Sequence, residues 1–157
     1  MESVYLDAMI DHARRTGPAV EAHQRFILWL VPTVEKFPRS QKFLLGDRIQ
    51  TTALDVLEAL IEATYTRDRR SHLVCANLGL EKLRVLLRLA AELRHLDLRR
   101  YEYAARSIDE IGRLVGGWQK AHAARVGGDV SRIEAVHVAP HHTVAAVAAV
   151  RDAQAAR

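Results

Sequence analysis

Cysteine is almost absent from this chain: Cys75 stands alone among 157 residues. That excludes an internal disulfide and any cysteine-based zinc site. Long hydrophobic runs are also missing. The longest fully apolar stretch before residue 123, Phe26 to Val31, falls far short of the ~20 residues a membrane span needs. The opening MESVYLDAMIDHARR puts acids where a secretion signal carries a basic start and an apolar core. A soluble, cytoplasmic protein with no membrane partner is the expectation. Proline and glycine are scarce between Val20 and His122, and no strand-like alternation interrupts that span.

Lysine is scarce too. Of 23 basic residues only Lys36, Lys42, Lys82 and Lys120 are lysine, the other 19 being arginine, against 19 acids and a net charge of +4. Arginine suits phosphate because its planar fork donates two parallel hydrogen bonds. A GC-rich genome also enriches arginine and alanine, so composition alone does not select a nucleic-acid role.

What remains is helical. Apolar residues recur at helical spacing and punctuation divides them into four segments. The first runs from Pro18 to Lys36, with Pro32 expected to kink it or loosen a turn. The second runs from Ser40 to Tyr65, with Leu45, Ile49, Val56, Leu60 and Ile61 inward. The third spans His72 to Leu96, with Ser71 as its expected N-cap, and Leu73, Ala76, Leu80, Leu83, Leu87 and Ala90 form a seam. Asp97 is expected to cap the fourth, whose seam is Tyr101, Ala104, Ile108, Ile111, Val115 and Trp118, and Gly127-Gly128 marks its outer limit. Gly112 and Gly116 share one face and are expected to let a neighbouring helix come close. Short connections between long helices favour antiparallel neighbours. The fold class is therefore all-α, an up-down-up-down antiparallel four-helix bundle over residues 18–122. Residues 1–17 form an N-terminal extension, and 123–157 a C-terminal tail in which Val130 to Val138 reads as a strand or short helix.

The third segment is more apolar than one bundle core can use. Val74, Leu78, Val85, Leu89 and Leu96 form a second stripe nearly opposite the seam. Such a surface needs a cover. The candidates are the N-terminal segment (Val4, Tyr5, Met9, Ile10), the tail, or, as the favoured reading, another copy of the chain.

Catalysis finds no address. A di-iron bundle needs inward Glu-x-x-His pairs. Glu92–His95 and Glu134–His137 fit the tetrad, but Glu92 lies on the polar strip and the second pair lies beyond the four segments. His137, His141 and His142 flank a proline in the tail and read as solvated. Cys75 reads as a small buried hydrophobe. No metal, cofactor or catalytic residue is expected.

The bases gather at the bundle ends. Lys36, Arg39 and Lys42 in the first turn lie beside Arg94, Arg99 and Arg100 in the third, with Glu35 and Asp97 opposing. The other end carries Arg67, Arg69 and Arg70, with Lys120 and Arg125. Such clusters engage phosphates without reading sequence; they also complement helix dipoles and keep turns soluble.

Phe26 to Gln50 (FILWLVPTVEKFPRSQKFLLGDRIQ), Asn77-Leu78-Gly79-Leu80 followed by Leu83-Arg84 and Leu86 to Ala90, and Ile108 to Trp118 form an ordered set. Together they resemble the four-helix-bundle superfamily that includes the accessory variability determinant (Avd) of diversity-generating retroelements and proteins of ribosomal RNA intervening sequences. The resemblance covers about residues 20–122. It implies a non-catalytic, pentameric barrel with a positive surface that associates with a reverse transcriptase and binds RNA and cDNA. The basic residues it carries over by motif are Arg39, Arg84, Arg88 and Arg113. The intervening-sequence relatives leave a second reading, an oligomeric protein-binding scaffold with no nucleic-acid role. A ferritin-like metal-binding bundle is the third.

Overall fold

The computed structural model describes residues 4, 6, 7, 10, 11 and 15–137. Four long helices account for most of them, and no strand occurs among the described residues: α1 (Pro18–Val34), α2 (Asp47–Tyr65), α3 (Arg70–Glu92) and α4 (Leu98–His137). The chain divides into two units, Met1–His122 and Ala123–Arg157. The second unit, over its described residues, is the last part of the α4 helix.

Helix α1 opens abruptly. Gly17 takes φ 84°, a conformation that suits glycine, and Pro18 holds the first helical position. Ala19, Val20, Ala22, His23, Phe26, Leu30 and Val34 face inward. Pro32 cannot donate to the carbonyl of Leu28, but both residues are exposed, so water can satisfy that group. The Glu35 amide still bonds to the Val31 carbonyl at 3.1 Å, and the amides of Lys36 and Phe37 close tighter turns that end the helix near Val34.

A short helical turn (Arg39–Gln41) leads into one π-helical turn (Lys42–Gly46) before α2 begins. Continuous α-helix from Ser40 is therefore not what forms. The wider turn seats Gly46 on the first helix, where an added Cβ would lie 2.7 Å from Val34 Cγ1, and leaves Phe43 and Leu44 exposed. In α2, Ile49, Ala53, Val56, Leu60 and Ala63 are buried. Ile61, expected inward, is 38% exposed, because one step beyond Leu60 turns a side chain about 100° off the buried face.

The α3 seam is buried throughout: Leu73, Ala76, Leu80, Leu83, Leu87 and Ala90. The helix starts at Arg70, a residue before the expected cap Ser71, and no side chain caps it. It also ends early. The Arg94 amide bonds to the Ala91 carbonyl and the His95 amide to the Ala90 carbonyl, both at 2.9 Å, with Arg94 at φ 60°. This is the Schellman termination, with arginine where glycine is usual. It folds Leu96 back into the core at 3% exposure, away from the stripe to which its spacing assigned it.

Asp97 caps α4 as expected, its Oδ1 accepting the Arg100 amide at 2.9 Å. Ala104, Ile108, Ile111 and Val115 are buried, with Tyr101 and Trp118 packed beside them. The helix continues through Gly127-Gly128 to His137 rather than stopping there. Glycine weakens a helix by about 1 kcal/mol without blocking it, and the first proline after Pro38 is Pro140. Pro140, His141, His142 and Thr143 to Arg157 lie outside the described residues.

Contacts link the helices in a closed circuit. His23 Nε2 donates to the Ala53 carbonyl at 2.7 Å, joining α1 to α2. Gly79 lets α3 reach α2 so closely that an added Cβ would sit 2.3 Å from Val56 Cγ2. Arg84 donates to Asp109 across α3 and α4 at 2.6 Å, and the rings of Trp29 and Tyr103 join α4 to α1, 4.6 Å apart. Gly112 and Gly116 do not serve the close approach expected of them; nothing lies within 4 Å of a Cβ added at either. His23 is buried and its Nδ1 has no hydrogen-bond partner. Burial pushes its pKa below the ordinary value, partly offset by the bond to Ala53.

Candidate nucleic-acid interface

The helix connections decide where the basic side chains collect. The rings of Phe37 and His95 lie 5.8 Å apart, which places the connection between α1 and α2 beside the one between α3 and α4. Lys36, Arg39, Arg94 and Arg99 are exposed there and Lys42 is half-buried. None of these five belongs to an ion pair among the described residues. Arg100 differs: its Nε lies 3.5 Å from the Asp97 carboxylate.

A second group follows α2. Arg67 and Arg70 are exposed without an ion pair. Arg69 is half-buried, its Nε donating to the Thr66 carbonyl at 3.4 Å and its guanidinium carbon 5.8 Å from the centre of the Trp118 ring. That contact brings the α4 stretch carrying Lys120 to the same end. Spacing alone marks Trp118 only as a seam residue; an aromatic two places before a lysine, at the bundle end rich in arginine, is the further signal the sequence carries.

Between the ends, Arg84 and Arg88 are engaged. Arg84 is held by Glu81 and by Asp109, and its hydrogen bond to Glu81 is the main reason its pKa rises above the ordinary value. Arg88 Nε lies 3.6 Å from Glu92, an exposed pair of little energetic weight. Arg113 is exposed and unpaired among the described residues. Of the four basic residues carried by motif, Arg39 and Arg113 are therefore free and Arg84 is clamped.

The outer face of α3 is apolar and open. Val74, Leu78, Val85 and Leu89 are 53%, 56%, 55% and 42% exposed. A cleft of about 760 Å³ runs along this stripe between α3 and α2, with Leu78, Gly79 and Val85 on its wall. Cys75 also lines it and is exposed, not the buried hydrophobe its neighbours Val74 and Ala76 suggested. Its position, two residues past Leu73, turns it away from the seam. Val4, Leu6 and Ile10 are themselves exposed, while Tyr5 and Met9 lie outside the described residues.

No group of three His, Cys, Asp or Glu side chains that could hold a metal occurs among the described residues. Glu92 is on the surface with Arg88, and His95 packs against Phe37. No described helix is long and apolar enough to cross a membrane. No curated protein matches the chain. A family model described as bAvd-like matches residues 19–122, which is 104 of the 157.

Proposed function

Because the chain belongs to the bAvd-like family, we propose that it is a non-catalytic accessory protein of a diversity-generating retroelement. In this reading it works in the cytoplasm as a homo-oligomer that binds the element's reverse transcriptase and its RNA and cDNA. The observation that carries the reading is a pair of basic groups that enter no ion pair among the described residues: Arg39, Lys42, Arg94 and Arg99 at one end, and Arg67, Arg69, Arg70 and Lys120 at the other. Free guanidinium groups at helix ends meet phosphate without first breaking an ion pair. Arg84, Arg88, Arg100 and Arg113 contribute mainly to the surrounding field.

The up-down-up-down topology is supported by three contacts: Phe37 with His95 at one end, Arg69 with Trp118 at the other, and Arg84 with Asp109 between. Residues 18–122 would be the bundle, with 1–17 and 123–157 as extensions. Val74, Leu78, Val85 and Leu89 would form the subunit interface, since four large apolar side chains on one helix face favour burial. Five copies, as the resemblance implies, would repeat each basic group around an axis and sum their fields.

The test is RNA affinity against salt. Neutralising about four phosphates per site gives a log-log slope near −3, at about −0.7 for each phosphate on a single strand. A flat slope would remove phosphate binding. Reverse-transcriptase capture that ignores salt, with no RNA retained, would favour the protein-binding scaffold instead.

A further inference from the structure

Where α1 begins and α2 gives way to α3, a cavity of about 520 Å³ opens against α4. Small-molecule sites range over ~300–1,000 Å³, so the space suits one flat group with its substituents. Its walls are chemically mixed. Trp118 offers a half-buried indole, and Arg69 stands over that ring with its guanidinium carbon 5.8 Å from the centre. Thr66 holds the Arg69 Nε, which fixes the guanidinium edge and leaves both terminal nitrogens outside any hydrogen bond or ion pair among the described residues. Gly17 and Gly117 also line it, and a Cβ added at either meets nothing within 4 Å, so a ligand can reach the backbone.

Two bases line the cavity: Arg15, paired with Asp11, and Arg69, which belongs to no ion pair among the described residues. Arg67 and Arg70 flank Arg69 in sequence, against Asp68 in the same turn and the Glu21 carboxylate that accepts from Thr16. A site offering an aromatic face, a guanidinium plane and spare phosphate donors matches a molecule with a π-face joined to an anion. An unpaired nucleotide has that combination. A base inside a duplex has both faces covered by its neighbours, and a peptide aromatic lacks the anion.

We infer that this cavity receives one unpaired base of single-stranded RNA or cDNA, stacked against Trp118 or the Arg69 plane, with an adjoining phosphate on Arg69 or Arg70. The inference rests on the nucleic-acid role proposed above and adds a preference for unpaired over duplex strands.

The full chain with Trp29→Phe keeps Trp118 as its sole tryptophan, and Phe preserves ring packing against Phe26 and Tyr103. It is titrated with an eight-nucleotide adenine strand, the same-length abasic strand and the corresponding duplex. The adenine strand quenches Trp118 fluorescence and binds roughly 5- to 150-fold tighter than the abasic one, while the duplex leaves the fluorescence unchanged. Trp118→Leu abolishes the difference between intact and abasic strands, and Trp118→Phe retains most of it. Should Trp118→Leu lose its helicity, the quenching measured on Trp29→Phe alone decides. Equal, salt-dependent binding of intact and abasic strands without quenching overturns the cavity assignment and leaves the phosphate-binding reading standing. Binding of none of the three overturns both. Quenching by an aromatic peptide but not by the adenine strand also overturns the assignment.

Discussion

His23 and Arg94 are the two residues whose surroundings conflict with their chemistry. His23 is buried and neutral, with one ring nitrogen bonded to Ala53 and the other unpaired. Its folded pKa lies below the ordinary 6.5. The unfolded chain therefore binds the proton more readily, and stability rises with pH wherever the two states differ. The contribution is fully present above about pH 6.5 and is lost as pH falls toward the folded value. His23→Gln keeps a donor for Ala53 and does not titrate; its melting temperature between pH 7.5 and 5 should fall less than the parent's, and parallel curves would refute the account. Arg94 sits at φ 60°, which costs a non-glycine residue about 1–2 kcal/mol. Glycine removes that cost but gains unfolded-chain freedom. Arg94→Gly should stabilise by about 1 kcal/mol, a rise of roughly 2–4 °C, while weakening RNA binding through the lost charge. A lower melting temperature would show that the Arg94 side chain makes a contribution larger than its backbone strain. Neither residue was legible in the sequence: His23 occupies an ordinary seam position, and a glycine-free Schellman turn carries no compositional mark.

Among the elements, α3 is the one the sequence describes best. Steps of three and four from Leu73 to Ala90 specify its buried face because each position repeats the last within a small rotation, and all six side chains are inside. Helix ends were less legible. Ser71 looked like a cap and Gly127-Gly128 like a stop, yet backbone bonds alone start α3 at Arg70, and α4 spans both glycines. Glycine spacing misled for a related reason: Gly112 and Gly116 share a face but meet open space, whereas the isolated Gly79 touches Val56. Alanine at 79 would gain about 1 kcal/mol of helix propensity. It would also force a Cβ to 2.3 Å from the branched, buried Val56, an overlap costing about 1–3 kcal/mol. The clash should win. Gly79→Ala should lower stability by about 1 kcal/mol in urea unfolding, and Val56→Ala in the same chain should recover part of that. A neutral Gly79→Ala would mean the two helices can separate freely.

For the whole molecule, the question is what covers the outer face of α3. The stripe Val74, Leu78, Val85 and Leu89 was legible as surplus hydrophobicity, and its open position follows from the seam occupying the other side of the helix. Leu96 was not separable from it by spacing, because the Schellman turn takes that residue out of the helical register. Leu78→Asp with Val85→Asp should leave the bundle folded and shift sedimentation toward the 17.6 kDa monomer. RNA affinity should drop with it, since avidity depends on assembled sites. Unchanged sedimentation would remove the stripe as the subunit contact. The basic ends were legible once topology brought the turns together, but the clamp on Arg84 was not: it depends on Glu81 and Asp109 meeting across two helices.

The exposed thiol of Cys75 gives all of this a convenient handle. It lines the same cleft as Leu78 and Val85, and the chain carries no other cysteine to compete for reagent. A maleimide dye therefore attaches at a single known point without mutagenesis. Its rate of attachment, slowing as protein concentration rises, would time the burial of that cleft directly.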